Sequence, residues 1–189
     1  MTPGPTLTTP RLILRPPNQQ DFAGFAAMSQ EPETMRFIGG VQPPDAAWRG
    51  LACMAGSWQL LGFSMFSVLR RDTGEWIGRL GPWHPGGAEG SWPGDEIGWA
   101  LRANAMGQGF AQEGAAAAMD WAFDHLGWES LIHSIDSANV ASIRLAQRLG
   151  SELQRRQHRM PAPFQEVCCD IYGQTRAQWR ARQRGPGIL

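Results

Sequence analysis

Residues 95–123, DEIGWALRANAMGQGFAQEGAAAAMDWAF, decide how the chain is read. Glu96-Ile97-Gly98-Trp99-Ala100-Leu101 has the aliphatic and aromatic makeup of a strand, and a helix is predicted to start near Gly109 and run to about Leu126. Helical spacing gathers Ala115, Ala118, Met119, Ala122 and Leu126 on one face and Glu113, Asp120 and Asp124 on the other, so this helix packs against a sheet. A strand, a glycine-bearing turn and a helix in succession aim several backbone N–H groups at one point, where the helix dipole also favours an anion such as phosphate. Gly107 and Gly109 let the backbone approach such a ligand, and Ala111 leaves room at the first helical turn. An ordinary tight turn is the plainer alternative for the same residues.

Outward from this stretch, Arg11-Leu-Ile-Leu-Arg15 reads as a first strand, and Pro16-Pro17-Asn18 turns the chain into a helix beginning near Asp21. A second helix is predicted from about Asp45 to Leu61. Strands at Phe63–Leu69 and Glu75–Leu80, joined by Arg71-Asp72-Thr73-Gly74, form an antiparallel hairpin. Residues 81–95, GPWHPGGAEGSWPGD, are dense in Gly and Pro and read as a loop, either a solvated excursion or a pocket wall carrying Trp83, His84 and Trp92. On the other side come a strand at Ser130–Ile135, a helix from about Asn139 to Leu149 stopped by Gly150, and strands at Glu152–Arg159 and Gln165–Tyr172. A short helix at Thr175–Gln183 closes the order. No internal repeat is present, and 189 residues suit one domain spanning 1–189.

Composition excludes several function classes. Seventeen basic residues balance seventeen acidic ones, so no global field attracts nucleic acid or anionic lipid. Every basic residue is arginine, which removes a lysine Schiff base, a lysine nucleophile and a phosphate-loop lysine. Cys53, Cys168 and Cys169 give neither a disulfide framework nor paired metal-ligand motifs, and the start MTPGPTLTTP lacks a signal peptide's apolar core; a soluble cytoplasmic protein without a metal is expected. His84, His125, His133 and His158 show no metal-ligand spacing, and Cys168-Cys169, within a predicted strand, read as buried filler. There is no Gly-x-Ser-x-Gly elbow and no Cys with an obvious His partner, so a covalent enzyme intermediate is not indicated.

Residues 95–123, followed by SIDSANVASIRLAQRLG (134–150), resemble the core of the GNAT superfamily of N-acetyltransferases, closest to the branch of ribosomal-protein N-terminal acetyltransferases. TPRLILRP (9–16), PETMRFIGG (32–40) and IYGQTRAQWRA (171–181) match in the same order, so the resemblance covers nearly the whole chain. It implies an α/β (α+β) fold, with a mixed, mostly antiparallel central sheet and helices on both faces. The sheet would splay between the strands at 96–101 and 130–135 to admit the pantetheine arm of acetyl-coenzyme A. Backbone at Trp99, Ala100 and Leu101 would pair with pantetheine amides. The family's pyrophosphate loop falls on Met106, Gly107, Gln108, Gly109, Phe110 and Ala111; Gly109 and Ala111 match the pattern, whereas Met106 stands where a polar residue is usual.

Asn139 and Ser142 match the family's Asn-x-x-Ser, in which Asn bonds the cofactor; both also stand where a helix begins, and capping is the alternative role. Glu96 matches a carboxylate that removes a proton from the acceptor amine, the alternative being a surface carboxylate or an arginine partner. At pH 7 a lysine-like amine must spend about 4.6 kcal/mol to lose its proton, an α-amine only about 1 kcal/mol. The family's tyrosine acid falls on Ala146, which leaves Ser142 as the substitute, and the sole tyrosine is Tyr172. The expected activity is direct transfer of acetyl from acetyl-coenzyme A to an amine, on a small molecule or a protein N-terminus, by an enzyme that is often dimeric in this branch. The alternatives are a related acyltransferase with a longer acyl donor and a catalytically idle acyl-coenzyme A-binding module.

Overall fold

The computed structural model describes residues 4–85, 92–162 and 164–184. Eight strands follow one another in hydrogen-bonded order β1-β2-β3-β4-β5-β6-β8-β7. They are β1 (Leu7–Thr8), β2 (Leu12–Arg15), β3 (Phe66–Arg70), β4 (Trp76–Trp83), β5 (Glu96–Leu101), β6 (Ser130–Ile135), β7 (Glu152–Arg159) and β8 (Cys168–Thr175). The helices are α1 (Phe22–Ser29), α2 (Pro32–Met35), α3 (Pro44–Leu61), α4 (Phe110–Trp121), α5 (Val140–Arg148) and α6 (Arg176–Arg184). Pairing is mostly antiparallel, with β5 and β6 parallel at Glu96↔Ile132. Contacts divide the chain into two compact units, one of residues up to His84 with Gly98–Met119, the other of Pro85–Ile97 with Asp120 onward.

In the first unit, Asn18 accepts from Gln20 N, and Asp21 returns a bond to Asn18 N, a capping box that starts the single 3-10 turn ahead of α1. Asp21 is buried and also accepts from Arg15 and Ser67. Burial opposes its ionisation, but the Arg15 bonds and those from Asn18 and Ser67 outweigh it and hold the carboxyl below its ordinary range. Helix α3 starts at Pro44, where a missing N–H costs nothing, and stops at Gly62 in the left-handed conformation at φ 77.

Strands β3 and β4 form the expected hairpin, with a register irregularity at Val68/Leu69. Contrary to the loop expected from residue 81, β4 runs on through Gly81, Pro82 and Trp83. β3 begins at Phe66, opposite Leu80, so Pro82 lies past that neighbour and its missing N–H breaks no bond there. Residues 86–91 of the same expected loop lie outside the described residues.

Phe25, Met28, Leu51, Met54, Met65, Trp76 and Ala100 make a continuous core beneath α1 and α3. Arg79 of β4 lies over the Phe25 ring of α1, while at Gly114 of α4 a Cβ would press on Leu80. Adjacent residues of a strand point to opposite faces, so helices cover both faces of this part of the sheet. Of the predicted face of α4, Ala115, Ala118 and Met119 are buried, as is Ala122 just beyond the helix, and Leu126 is half-buried, while Glu113 turns to Arg11.

In the second unit, β6 pairs along its whole length with β8, from Ser130↔Thr175 to Ile135↔Asp170, and β8 pairs with the edge strand β7 on its other side. Most of β7 is exposed and it carries Arg155 and Arg156, charges that discourage a further strand from adding to it. The chain after α4 makes a π-helical turn at Ala122–Leu126 and stops at Gly127, φ 71. Trp179 and Arg180 of α6 both donate to Asp120. Cys169 is buried as expected, but Cys168 is exposed, because the two face opposite sides of β8.

Candidate functional site

The expected phosphate loop is built by contacts local in space but not in sequence. After β5, a 3-10 turn at Ala103–Ala105 leads into Met106, and Gly107 and Gly109 take φ 72 and φ 80. Only glycine adopts such angles without strain, which accounts for both. Helix α4 begins at Phe110, so the N–H groups of its first turn lack partners within the helix. Residues 106–109 are exposed.

Arg11 holds this turn in place. Its Nη1 donates to the Gln108 carbonyl at 2.9 Å, its Nε to Glu113 at 2.6 Å, and its guanidinium lies 4.6 Å over the Phe110 ring. Glu113 also accepts from Thr9 Oγ1 at 2.6 Å and from Arg11 N. Partial burial raises its pKa, but the Thr9 and Arg11 bonds overcome that and hold it below the ordinary carboxylate value. Gln108 Nε2 donates to Asn104 O at 2.7 Å. At Gly109 a Cβ would come 3.3 Å from Arg11 Nη2, whereas at Gly107 it would meet open space. Ala111 is half-buried in the first turn of α4, and Met106, where the family has a polar residue, is exposed. On β5, Trp99 is half-buried, Ala100 and Leu101 are buried, and the Leu101 carbonyl accepts from Thr34 Oγ1 at 3.2 Å.

Glu96, the first residue of β5, is 4% exposed, which excludes a surface carboxylate. Among the described residues it pairs with no arginine. One oxygen accepts from Trp92 Nε1 at 2.6 Å, the other from Ser134 Oγ and from Ser134 N at 3.2 Å. Burial pushes its pKa above the ordinary value, with the bonds from Ser134 and Trp92 drawing it partly back. Trp92, expected as a pocket wall, is thus a partner of Glu96. It also packs edge-on against Phe164 and borders a core of Ile132, Met160, Cys169 and Ile171. Trp83 borders the core beneath α1 and α3, and His84 is exposed just past β4.

Asn139 caps α5, its Oδ1 accepting from Ser142 N at 3.1 Å. Ala146, matched to the family's tyrosine acid, is fully buried, and so is nearly all of Tyr172. His133 is buried between the Ile97 carbonyl and Ser151 Oγ, and burial drives its pKa down to about 4, so it stays neutral and structural. Ser134, Arg11 and Arg79 went unread in the sequence. Arg11 stands in the quoted TPRLILRP, but nothing local ties it to residues near 108. Among the described residues no group of His, Cys, Asp and Glu is placed to hold a metal ion, and no helix is long and apolar enough to cross a membrane.

This fold is that of an acyltransferase. Residues 11–152, well over half of the chain, match the family described as Acetyltransferase (GNAT) domain, and the chain belongs to that family. Its chemistry is therefore acyl-coenzyme A-dependent acetyl transfer in general. The chain is 28% identical to an acetyltransferase from Agrobacterium tumefaciens C58, with a TM-score of 0.79 over 93% of this chain and 97% of that one. It is 28% identical over 145 residues to the uncharacterized protein YkkB of Bacillus subtilis strain 168, covering 76% of this chain and 83% of the relative. An aminoglycoside acetyltransferase, AAC(6')-Ib, whose structure is a complex with coenzyme A, shares the fold at 18% identity and a TM-score of 0.68. There 91% of this chain and 99% of that one are covered.

Proposed function

We propose that the protein passes acetyl from acetyl-coenzyme A directly to an amine, with Glu96 as the base. The observation that carries this is Glu96 itself: a buried carboxylate with a raised pKa, held by Trp92 and Ser134 and neutralised by no arginine among the described residues. The amine nitrogen attacks the thioester carbonyl carbon, the C–N bond forms as the C–S bond breaks, and the sulfur leaves with the bonding pair. The amine's proton passes to Glu96, directly or through water, and the thiolate takes a proton from solvent or from Ser142. That last protonation is worth about 2 kcal/mol at pH 7 for a thiol of pKa ~8.5, so the missing tyrosine acid is tolerable.

Met106–Ala111 would receive the pyrophosphate through backbone N–H groups at the start of α4, which explains why Met106 can replace a polar residue. The Arg11 guanidinium, paired with Glu113, lies beside Gly109 and holds the turn in place. Trp99–Leu101 would face the pantetheine arm, and Asn139 serves α5 as its cap. We read residues 1–189 as one acyltransferase domain, since the family match runs through residues of both units. The resemblance to the ribosomal-protein branch supports a protein N-terminus or a small molecule as acceptor.

Calorimetry with acetyl- and succinyl-coenzyme A, followed by a free-thiol assay across an amine panel, tests this. Micromolar acetyl-coenzyme A binding with thiol release is expected. Tighter binding and faster turnover of the succinyl donor would favour the longer-acyl alternative. Binding without turnover on any amine would favour the idle module, and absence of binding would end the proposal.

A further inference from the structure

Arg79 is a cation that the protein itself leaves unanswered. It lies mid-way along β4, opposite Ser67 of β3, with its guanidinium 5.6 Å over the Phe25 ring and Nη1 3.3 Å from the Met65 sulfur, a weak acceptor. Its Nε is buried with no hydrogen-bond partner, and no other buried side-chain nitrogen or oxygen among the described residues is in that state. Neither Nη2 nor any other part of Arg79 meets a carboxylate among those residues.

Asp21 and Glu31, buried and partly buried acids of this unit, are committed elsewhere. Asp21 is taken by Arg15, Asn18 and the hydroxyl of Ser67, Arg79's own cross-strand neighbour; Glu31 is taken by Arg102, Ala103 and Thr34. Burial lowers the Arg79 pKa to about 10, which still leaves it charged at neutral pH. An uncompensated charge in a sheet interior is costly, and a methionine would fill the same space without that cost.

The unused edge has a definite shape. Nε and Nη2 together form the side of a guanidinium that takes two oxygens of one anion in parallel hydrogen bonds. The residue as a whole keeps partial exposure, while its Nε is shut away from solvent. Around it stand Phe25 and Met65, with Trp83 and Ala100 in the same apolar cluster. At Gly98 a Cβ would come 2.7 Å from the Met65 methyl, so the missing side chain there lets Met65 keep its place beside Arg79.

We propose that Arg79 selects the acceptor: the amine acylated by this protein carries a carboxylate or a phosphate, two of whose oxygens occupy the Nε and Nη2 edge. This rests on the acyl-transfer reading only in naming the bound molecule the acceptor. The test is calorimetric titration of wild type, R79M and R79K with the common amino acids against their amides, and with O-phosphoethanolamine against ethanolamine. Wild type is expected to bind at least one anionic member tenfold or more tightly than its neutral counterpart, and the better arm tells carboxylate from phosphate. R79M should bind both members alike while melting no lower than wild type; R79K should keep part of the preference. Equal binding of the pairs by wild type, no anion binding up to millimolar concentration, or a preference surviving in R79M would overturn the proposal. Thiol release from acetyl-coenzyme A with the same amines reads the other question separately. Anion-selective binding without release leaves the site standing and removes acyl transfer, whereas release without anion preference does the reverse.

Discussion

Replacing Glu96 by Gln keeps the side chain's size and removes its basicity. A general base contributes about 10²–10⁴ in rate, and the pKa gap to be bridged caps its worth at about 4.6 kcal/mol for an alkylamine and about 1 kcal/mol for an α-amine. E96Q should therefore lower kcat/KM about 10²–10³-fold on alkylamines and about fivefold on α-amines. The Kd for acetyl-coenzyme A should stay unchanged. Because the folded-state pKa of Glu96 is raised, the acid limb of kcat/KM in wild type should lie above the ordinary value of 4.5 and be absent from E96Q. Stability carries an independent signature. The Gln amide nitrogen must face the N–H of either Trp92 or Ser134, leaving a donor unsatisfied at about 1–3 kcal/mol. A raised folded pKa favours the fold below the unfolded pKa, and that contribution is lost as pH rises through the folded value. The melting deficit of E96Q should thus be greatest in acid and shrink towards neutral pH. Stopped thiol assays with calorimetry and melting curves from pH 4 to about 8 read all of this, the window covering both the ordinary and the raised carboxyl range. An unchanged rate with the wild-type acid limb would remove Glu96 from the mechanism.

G109V places a β-branched residue at φ 80 with its Cβ against Arg11, so acetyl-coenzyme A binding should weaken at least about tenfold by calorimetry. An unaltered Kd would show that the 106–111 loop is not the phosphate site. D21N breaks a buried pair with Arg15 and should cost about 3–5 kcal/mol in denaturant unfolding. Since the folded pKa of Asp21 is depressed, its contribution is present above the unfolded value near 3.8 and is lost as pH falls through the folded one, so D21N and wild type should converge in acid. N139A should lose about 1 kcal/mol of stability as a cap with little change in acetyl-coenzyme A affinity; a tenfold weaker Kd would instead make Asn139 a cofactor ligand.

What was legible in the sequence was what local pattern controls. β5 and β6 lie where composition put them, and α3 ends at Leu61, where the helix was expected to end. Two elements were too short to show a period: β1, two residues long, and α2, four residues long. Gly81 and Pro82 read as loop because their tolerance in a strand depends on where the neighbouring strand begins, which is a property of register. The same holds for the candidate site. Glu96 could be singled out from its place in the pattern, but its partner Ser134 is 38 positions away, and its burial follows from that packing. Nothing local marks Arg79 apart from other arginines; its unbonded Nε is a property of the packing around it.

The grip of Arg11 on the Gln108 carbonyl and on Glu113 has a kinetic side. A phosphate-binding turn that must first be ordered spends part of its binding free energy on ordering and slows association. On the proposed reading of the 106–111 turn, that cost is met by Arg11, in the bend between β1 and β2 and about a hundred positions upstream. Association should then be governed by encounter, leaving differences in affinity among acyl donors to appear in their rates of departure.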